Sequence, residues 1–203
     1  MRKYVPFIVS LVMLIGTSVY AGNVVDPGFD FIIDSGYDSA FALENSESLK
    51  MTGGGIGVLS LFSSSYAEIL GSSPFQIGVG GIERLSAFDS SSFLVAGGHV
   101  HEIIATANAT GTLAGGIIDR IRTTQVVPDP HIEMFVRDYD FNVSTNILTG
   151  TWEDFSTFSI FLDNQGVPYD PVIENIKFTI VPEPMTLSVM GLGGFLVRRR
   201  RRT

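Results

Sequence analysis

The chain has 203 residues, a formal net charge of −8 and no cysteine. The absence of cysteine excludes disulfides, thiol catalysis and zinc–thiolate sites, so an exported form would be stabilised by packing alone. Charge is segregated: residues 22–181 hold only six of the 13 basic residues but 20 of the 21 acidic ones, a balance of −14 that argues against nucleic acid and anionic lipid.

Arg2 and Lys3 open a basic segment, residues 5–19 are apolar, and Val19-Tyr20-Ala21 ends the run with small residues at the two positions a signal peptidase reads. This is the layout of a secretory signal peptide over 1–21, with Val19, Ala21 and Gly22 at the cut. Pro6 and a length below the roughly 20 apolar residues of a full span argue against a standing anchor.

Between the termini, 22–180, low charge density with many Gly, Ser, Thr, Val, Ile and Phe favours strand over helix. Short alternating runs dominate. Residues 29–33, after Pro27-Gly28, and 48–52, before Gly53-Gly54-Gly55, read as strands. Double glycines then recur at Gly80-Gly81, Gly97-Gly98 and Gly115-Gly116, each followed by an apolar-edged strand: 82–85, 99–103 and 117–121. The preceding strands repeat as well, 93–96 and 112–114 with 49–52 as an earlier echo, and Ser90-Ser91-Ser92 and Ala107-Asn108-Ala109 mark turns midway.

A unit of about 18 residues with glycine corners predicts one coil of a short β-solenoid over 22–127, each coil burying its apolar face on the next. Glycine supplies the positive φ that a corner needs. A meander of hairpins folded as a single β-sandwich fits the same alternation. After Pro128 and Pro130 the texture changes, and 132–136, 140–143, 147–152, 157–162 and 173–180 read as strands of a small antiparallel sheet over 128–180, either separate or capping the solenoid.

The end of the chain, 181–203, combines Pro182-Glu183-Pro184, Thr186-Leu187, an apolar stretch with Met190-Gly191-Leu192-Gly193-Gly194, and five arginines, Arg198, Arg199, Arg200, Arg201 and Arg202. The apolar runs within 1–21 and 181–203 are expected as two hydrophobic helices flanking the β body. Residues 185–197 are short for a ~30 Å hydrocarbon core, so that segment is expected to span only transiently, with the arginines as a cytoplasmic stop. Directly after an apolar run on an acidic exported chain, the arginines do not read as a nucleic-acid tail.

This terminus resembles the PEP-CTERM sorting domain of exported bacterial proteins, which membrane peptidases called exosortases process. The resemblance implies recognition at Pro182, Glu183 and Pro184, removal of the tail, passage through the inner membrane to the cell envelope, outer surface or extracellular matrix, and a link to exopolysaccharide or biofilm. Exosortase and signal peptidase are the implied partners, with polysaccharide a further one. Family members share the tail and not one fold, so nothing carries over to 22–180.

Candidate chemistry in that body is sparse. His99 and His101 alternate on a strand and face one side, as do His131 and Glu133; brought together they would offer imidazole and carboxylate to a metal, and apart they are surface histidines. Asp26, Asp30, Asp34 and Asp38 recur four apart and Asp138 pairs with Asp140, leaving weak Ca²⁺ binding or a solvated acidic surface as readings. No nucleophile elbow, P-loop or dinucleotide fingerprint occurs. Trp152 and the phenylalanines read as core more than as sugar platforms. The expectation is therefore a non-enzymatic structural or binding protein without a cofactor, against the alternative of a secreted carbohydrate-active hydrolase or lyase whose carboxylates the sequence does not single out.

Overall fold

Short and long strands alternate along most of the chain in the computed structural model, which describes residues 28–123, 131–164 and 172–181. The pairs are β1 (Phe31–Ile33) with β2 (Tyr37–Leu43), β3 (Ser48–Met51) with β4 (Gly55–Leu61), and β5 (Tyr66–Ile69) with β6 (Gly81–Ala87). Two more follow, β7 (Ser92–Val95) with β8 (His99–Ala105) and β9 (Thr110–Leu113) with β10 (Ile117–Thr123). Then come β11 (His131–Asn142), β12 (Ile147–Trp152), β13 (Thr157–Leu162), a 3₁₀ turn over Val172–Asn175, and β14 (Ile176–Ile180).

No strand from β1 to β10 pairs with the next in sequence; each of β1 to β9 pairs in parallel with the strand two places on, and β10 with β13. Leu49 lies beside Phe31, Ala67 beside Leu49, Phe93 beside Ala67 and Gly111 beside Phe93. In the other row Ile56 meets Ile82, Val100 follows and then Ile118. Between strands β1 to β10 partners are 18 residues apart, except across the β5–β6 connection, where the separation is 26.

The chain thus runs back and forth between an odd row and an even row. Their inward side chains make a single core that includes Leu49, Met51, Phe93 and Val95 from one row and Ile56, Leu59, Ile82, Leu85 and Ile103 from the other.

The C-terminal strands close one end. β11 continues the odd row beside β9, β13 continues the even row beside β10, and β12 lies antiparallel between β11 and β13. The two rows therefore belong to one continuous sheet whose path, among the described residues, begins at β1 and ends at β2, both at the opposite end. Trp152, fully buried, packs at 4.5 Å from Phe158, and its Nε1–H donates to the carbonyl of Gly116 at 3.1 Å. That bond satisfies a corner carbonyl that the end of a stack would otherwise leave bare.

Corners repeat with the coil. On one side Gly36, Gly54, Gly81, Gly98 and Gly116 take positive φ. A Cβ at Gly54 or Gly98 would meet the backbone of the coil before, so close approach as well as φ selects glycine there. On the other side Asn45, Ser63, Asp89 and Ala107 hold φ of 57–58° in four-residue turns closed by the amides of Glu47, Ser65, Ser91 and Ala109.

Several boundaries differ from the sequence expectation. The first strand is Phe31–Ile33, because the Asp30 carboxylate accepts from the Ser48 amide and hydroxyl at 2.8 Å and caps the strand instead of extending it. Strands expected at 132–136 and 140–143 are one long β11 with a register shift between Val136 and Asp138. Residues 172–175 are a 3₁₀ turn, where buried Asn175 donates to Thr123 Oγ1 at 2.8 Å.

The expected division near 127 falls in 124–130, outside the described residues, and the strands on both sides of it share one sheet. The two hydrophobic helices expected within 1–21 and 181–203 also lie outside the described residues, among which no helix is long and apolar enough to cross a membrane.

Candidate functional site

Each long strand breaks the strict alternation of a strand once. In β6, Ile82 and Leu85 point into the core, leaving Glu83 and Arg84 adjacent and outward; β8 does the same with His101 and Glu102, and β10 with Asp119 and Arg120. Because the coils stack in register, Val58, Arg84, Glu102, Arg120 and Phe161 form one row across the outer face. Gly57, Glu83, His101 and Asp119 lie one residue before the first four of these on the same strands, while Ser86, Ile104 and Arg122 occupy the next outward row.

Opposite charges alternate along the first of these rows. The Glu102 side chain is only 7% exposed and is held by Arg84 Nε at 2.8 Å and by an Arg122 guanidinium nitrogen at 3.2 Å. Arg122 also binds Asp163 at 2.8 Å, and Arg120 stands 3.8 Å from Glu102 and 3.6 Å from Asp163. Burial of a carboxylate is tolerated because guanidinium donors replace its water. Arg84, Glu102, Arg120 and Arg122 line a cavity of about 400 Å³ with Glu83, His101 and Val58.

A second cluster borders it. His99 Nε2 lies 3.0 Å and His101 Nδ1 2.8 Å from the same oxygen, Oδ2 of Asp119. The insert at 70–80, which lengthens one coil, folds against this pair. Phe75 stacks on His101 at 5.0 Å between centroids, Ser72 Oγ accepts from the His99 amide at 2.8 Å, and Glu83 accepts from the Gly78 amide and from the Tyr37 hydroxyl, both at 2.8 Å. Burial, together with the Glu83 carboxylate that accepts its hydrogen bond, pushes the Tyr37 phenol up to about 12.

The sequence-predicted candidates separate. His99 and His101 do share a face, and Asp119 joins them; His131 and Glu133 sit on β11 in the odd row, so the two pairs do not meet. Glu133 is instead engaged by Thr179 Oγ1 at 2.6 Å and Lys177 Nζ at 2.9 Å, which together hold its carboxyl below the usual range. Both histidine nitrogens converge on one carboxylate oxygen, a hydrogen-bonded set, and among the described residues no group of three or more His, Cys, Asp or Glu is arranged to hold a metal ion.

Asp30 and Asp34 act locally, accepting from Ser48 and Ser35, and Asp138 and Asp140 lie exposed on β11. Asp26, Val19, Ala21, Gly22, Pro182, Glu183, Pro184 and Arg198 to Arg202 lie outside the described residues. The amide of Val181, one residue before the Pro-Glu-Pro run, donates to the Val136 carbonyl at 2.8 Å.

The sequence reading passed over Arg84, Glu102, Arg120, Arg122 and Asp163. The signal was present: applying the 18-residue period to Arg84 lands on Glu102 and then on Arg120, an alternation of charge that only stacked coils bring into contact. No protein-family model matches the chain, and neither a characterised protein nor a solved structure matches it.

Proposed function

We propose that this chain is an exported envelope or extracellular-matrix protein, sorted and processed through its C-terminal segment, whose body is a short β-solenoid with a structural or binding role. Parallel pairing at an 18-residue offset supports the solenoid, and the antiparallel β12–β13 hairpin acts as its cap. The sandwich alternative would need sequential antiparallel neighbours, which among the described strands appear only where β11, β12 and β13 close the end.

The observation that carries the non-enzymatic reading is the state of the carboxylates lining the cavity. Glu102 is clamped by Arg84 and Arg122, and Glu83 by Tyr37 and Gly78. A hydrolase needs one carboxyl to deliver a proton and a second to attack or activate water. Glu102 is held at both oxygens by guanidiniums and Glu83 at its Oε1 alone, an arrangement that supports binding more than proton transfer. The presence of Glu83, Glu102 and His101 around one cavity is also what favours the second reading, a carbohydrate-active hydrolase or lyase.

Sorting is tested by intact-mass measurement of the protein from each cell fraction of its own host. Loss of residues 1–21 and of the chain beyond the Pro182–Glu183–Pro184 run, with material outside the inner membrane, is expected. Glu183→Ala should leave the tail in place and the protein in the inner membrane, and unchanged processing would remove the exosortase assignment.

A further inference from the structure

We infer that the cavity bounded by Arg84, Glu102, Arg120 and Arg122 binds a carboxylated sugar unit, a hexuronate, in an oligosaccharide. This deepens the binding role proposed above and rests on it. The first argument is charge placement. The stretch 22–181 holds six basic residues in a balance of −14, and three of the six are gathered on this one cavity. The lining sets three guanidiniums against two carboxylates, Glu83 and Glu102, and the third carboxylate, Asp163, stands outside it on Arg122 at 2.8 Å and Arg120 at 3.6 Å.

The second argument is donor geometry. Arg84 gives Glu102 only its Nε, at 2.8 Å, and its side chain is 51% exposed. Arg120 stands at 3.6–3.8 Å from both acids, beyond hydrogen-bond length, with its side chain 40% exposed. Both therefore present guanidinium edges to the cavity, and a planar fork fits a carboxylate through two parallel bonds. Glu102 and Asp163 hold Arg122 in place from behind.

The third argument is what surrounds the cations. Glu83 and His101 line the same space and accept or donate to hydroxyls, which suits a polyol ring better than a bare anion. Val58 is the apolar residue of the lining, and Phe161, next to Arg120 in the row, lies under its guanidinium at 5.6 Å. A volume of about 400 Å³ falls in the range of about 300–1,000 Å³ typical of small-ligand sites.

The test is calorimetric titration of the full chain in detergent with a hexuronate trisaccharide and with the same trisaccharide reduced at each carboxyl to the neutral sugar. The acidic form should bind at least tenfold more tightly, and Arg120→Gln should abolish that difference while thermal unfolding stays cooperative. Arg84→Gln serves as a second variant should Arg120→Gln fail to fold. Equal affinity for the two sugars, no binding of either, or full affinity in a folded Arg84→Gln or Arg120→Gln protein would overturn the inference. So would displacement of the sugar by an equal concentration of sulfate, which would mark a plain anion site. Shortened oligosaccharide in the mass spectrum after incubation would instead overturn the non-enzymatic reading and leave the carboxylate pocket standing.

Discussion

Gly111 shows how one residue sets the fit between coils. Along the odd row the positions read Phe31, Leu49, Ala67, Phe93, Gly111 and Ile132, so the Phe93 ring has the two smallest side chains on either side. Phe93 is 2% exposed, and a Cβ at Gly111 would overlap its ring. An ordinary strand glycine gains stability on replacement by alanine through the unfolded chain. Here overpacking wins, because the ring has no free volume to enter. Gly111→Ala should lower unfolding stability by about 1–3 kcal/mol in urea titration. A stabilised variant would show that the Phe93 ring can move aside.

Elements are joined by few but specific bonds, and the insert at 70–80 is the clearest case. It interrupts the coil period, yet it is fastened by Glu83, which accepts from Gly78 within the insert and from Tyr37 on β2. The Tyr37 phenol is raised from its ordinary value near 10 to about 12, first by burial and then by Glu83. A group with a raised folded pKa contributes stability that is fully present below its unfolded pKa and is lost as pH rises through the folded one. The wild-type chain should therefore lose stability between pH 10 and pH 12 more steeply than Tyr37→Phe, followed by urea unfolding across that window. Coincident profiles would mean that the Tyr37–Glu83 bond does not form in solution.

At the scale of the whole molecule, the two ends of the stack are treated differently. The C-terminal end is closed by the β12–β13 hairpin and sealed with Trp152, whereas among the described residues no strand lies beyond β1 and β2. Parallel coils with an open edge are templates for another chain. The edge coil departs from the pattern at one position: the row of Ile56, Ile82, Val100 and Ile118 begins with Asp38. Charge in a row that is otherwise apolar is a recognised way to block edge-to-edge addition. Asp38→Ile should complete the apolar row and convert the protein to concentration-dependent oligomers in sedimentation velocity. An unchanged monomer peak would show that this aspartate does not guard the edge.

By itself the sequence determined the all-β character, the glycine turns and a repeat of about 18 residues, since these depend on local causes. Positive φ at a corner selects glycine, and inward and outward positions differ in polarity along each strand. Trp152 as a core residue was legible for the same reason, and it is fully buried.

Tertiary structure alone decided which residues meet. The insert hid one coil by stretching a separation of 18 to 26, so the repeats upstream of Gly80 were only faintly visible. Arg122 and Asp163 are 41 residues apart and Trp152 and Gly116 are 36 apart, distances over which no local preference acts. The Arg–Glu–Arg row depends on two adjacent outward side chains per strand, a break in alternation imposed by how the coils stack. Asp119 replaced Glu133 beside the histidines because β8 and β10 share a row and β11 lies in the other.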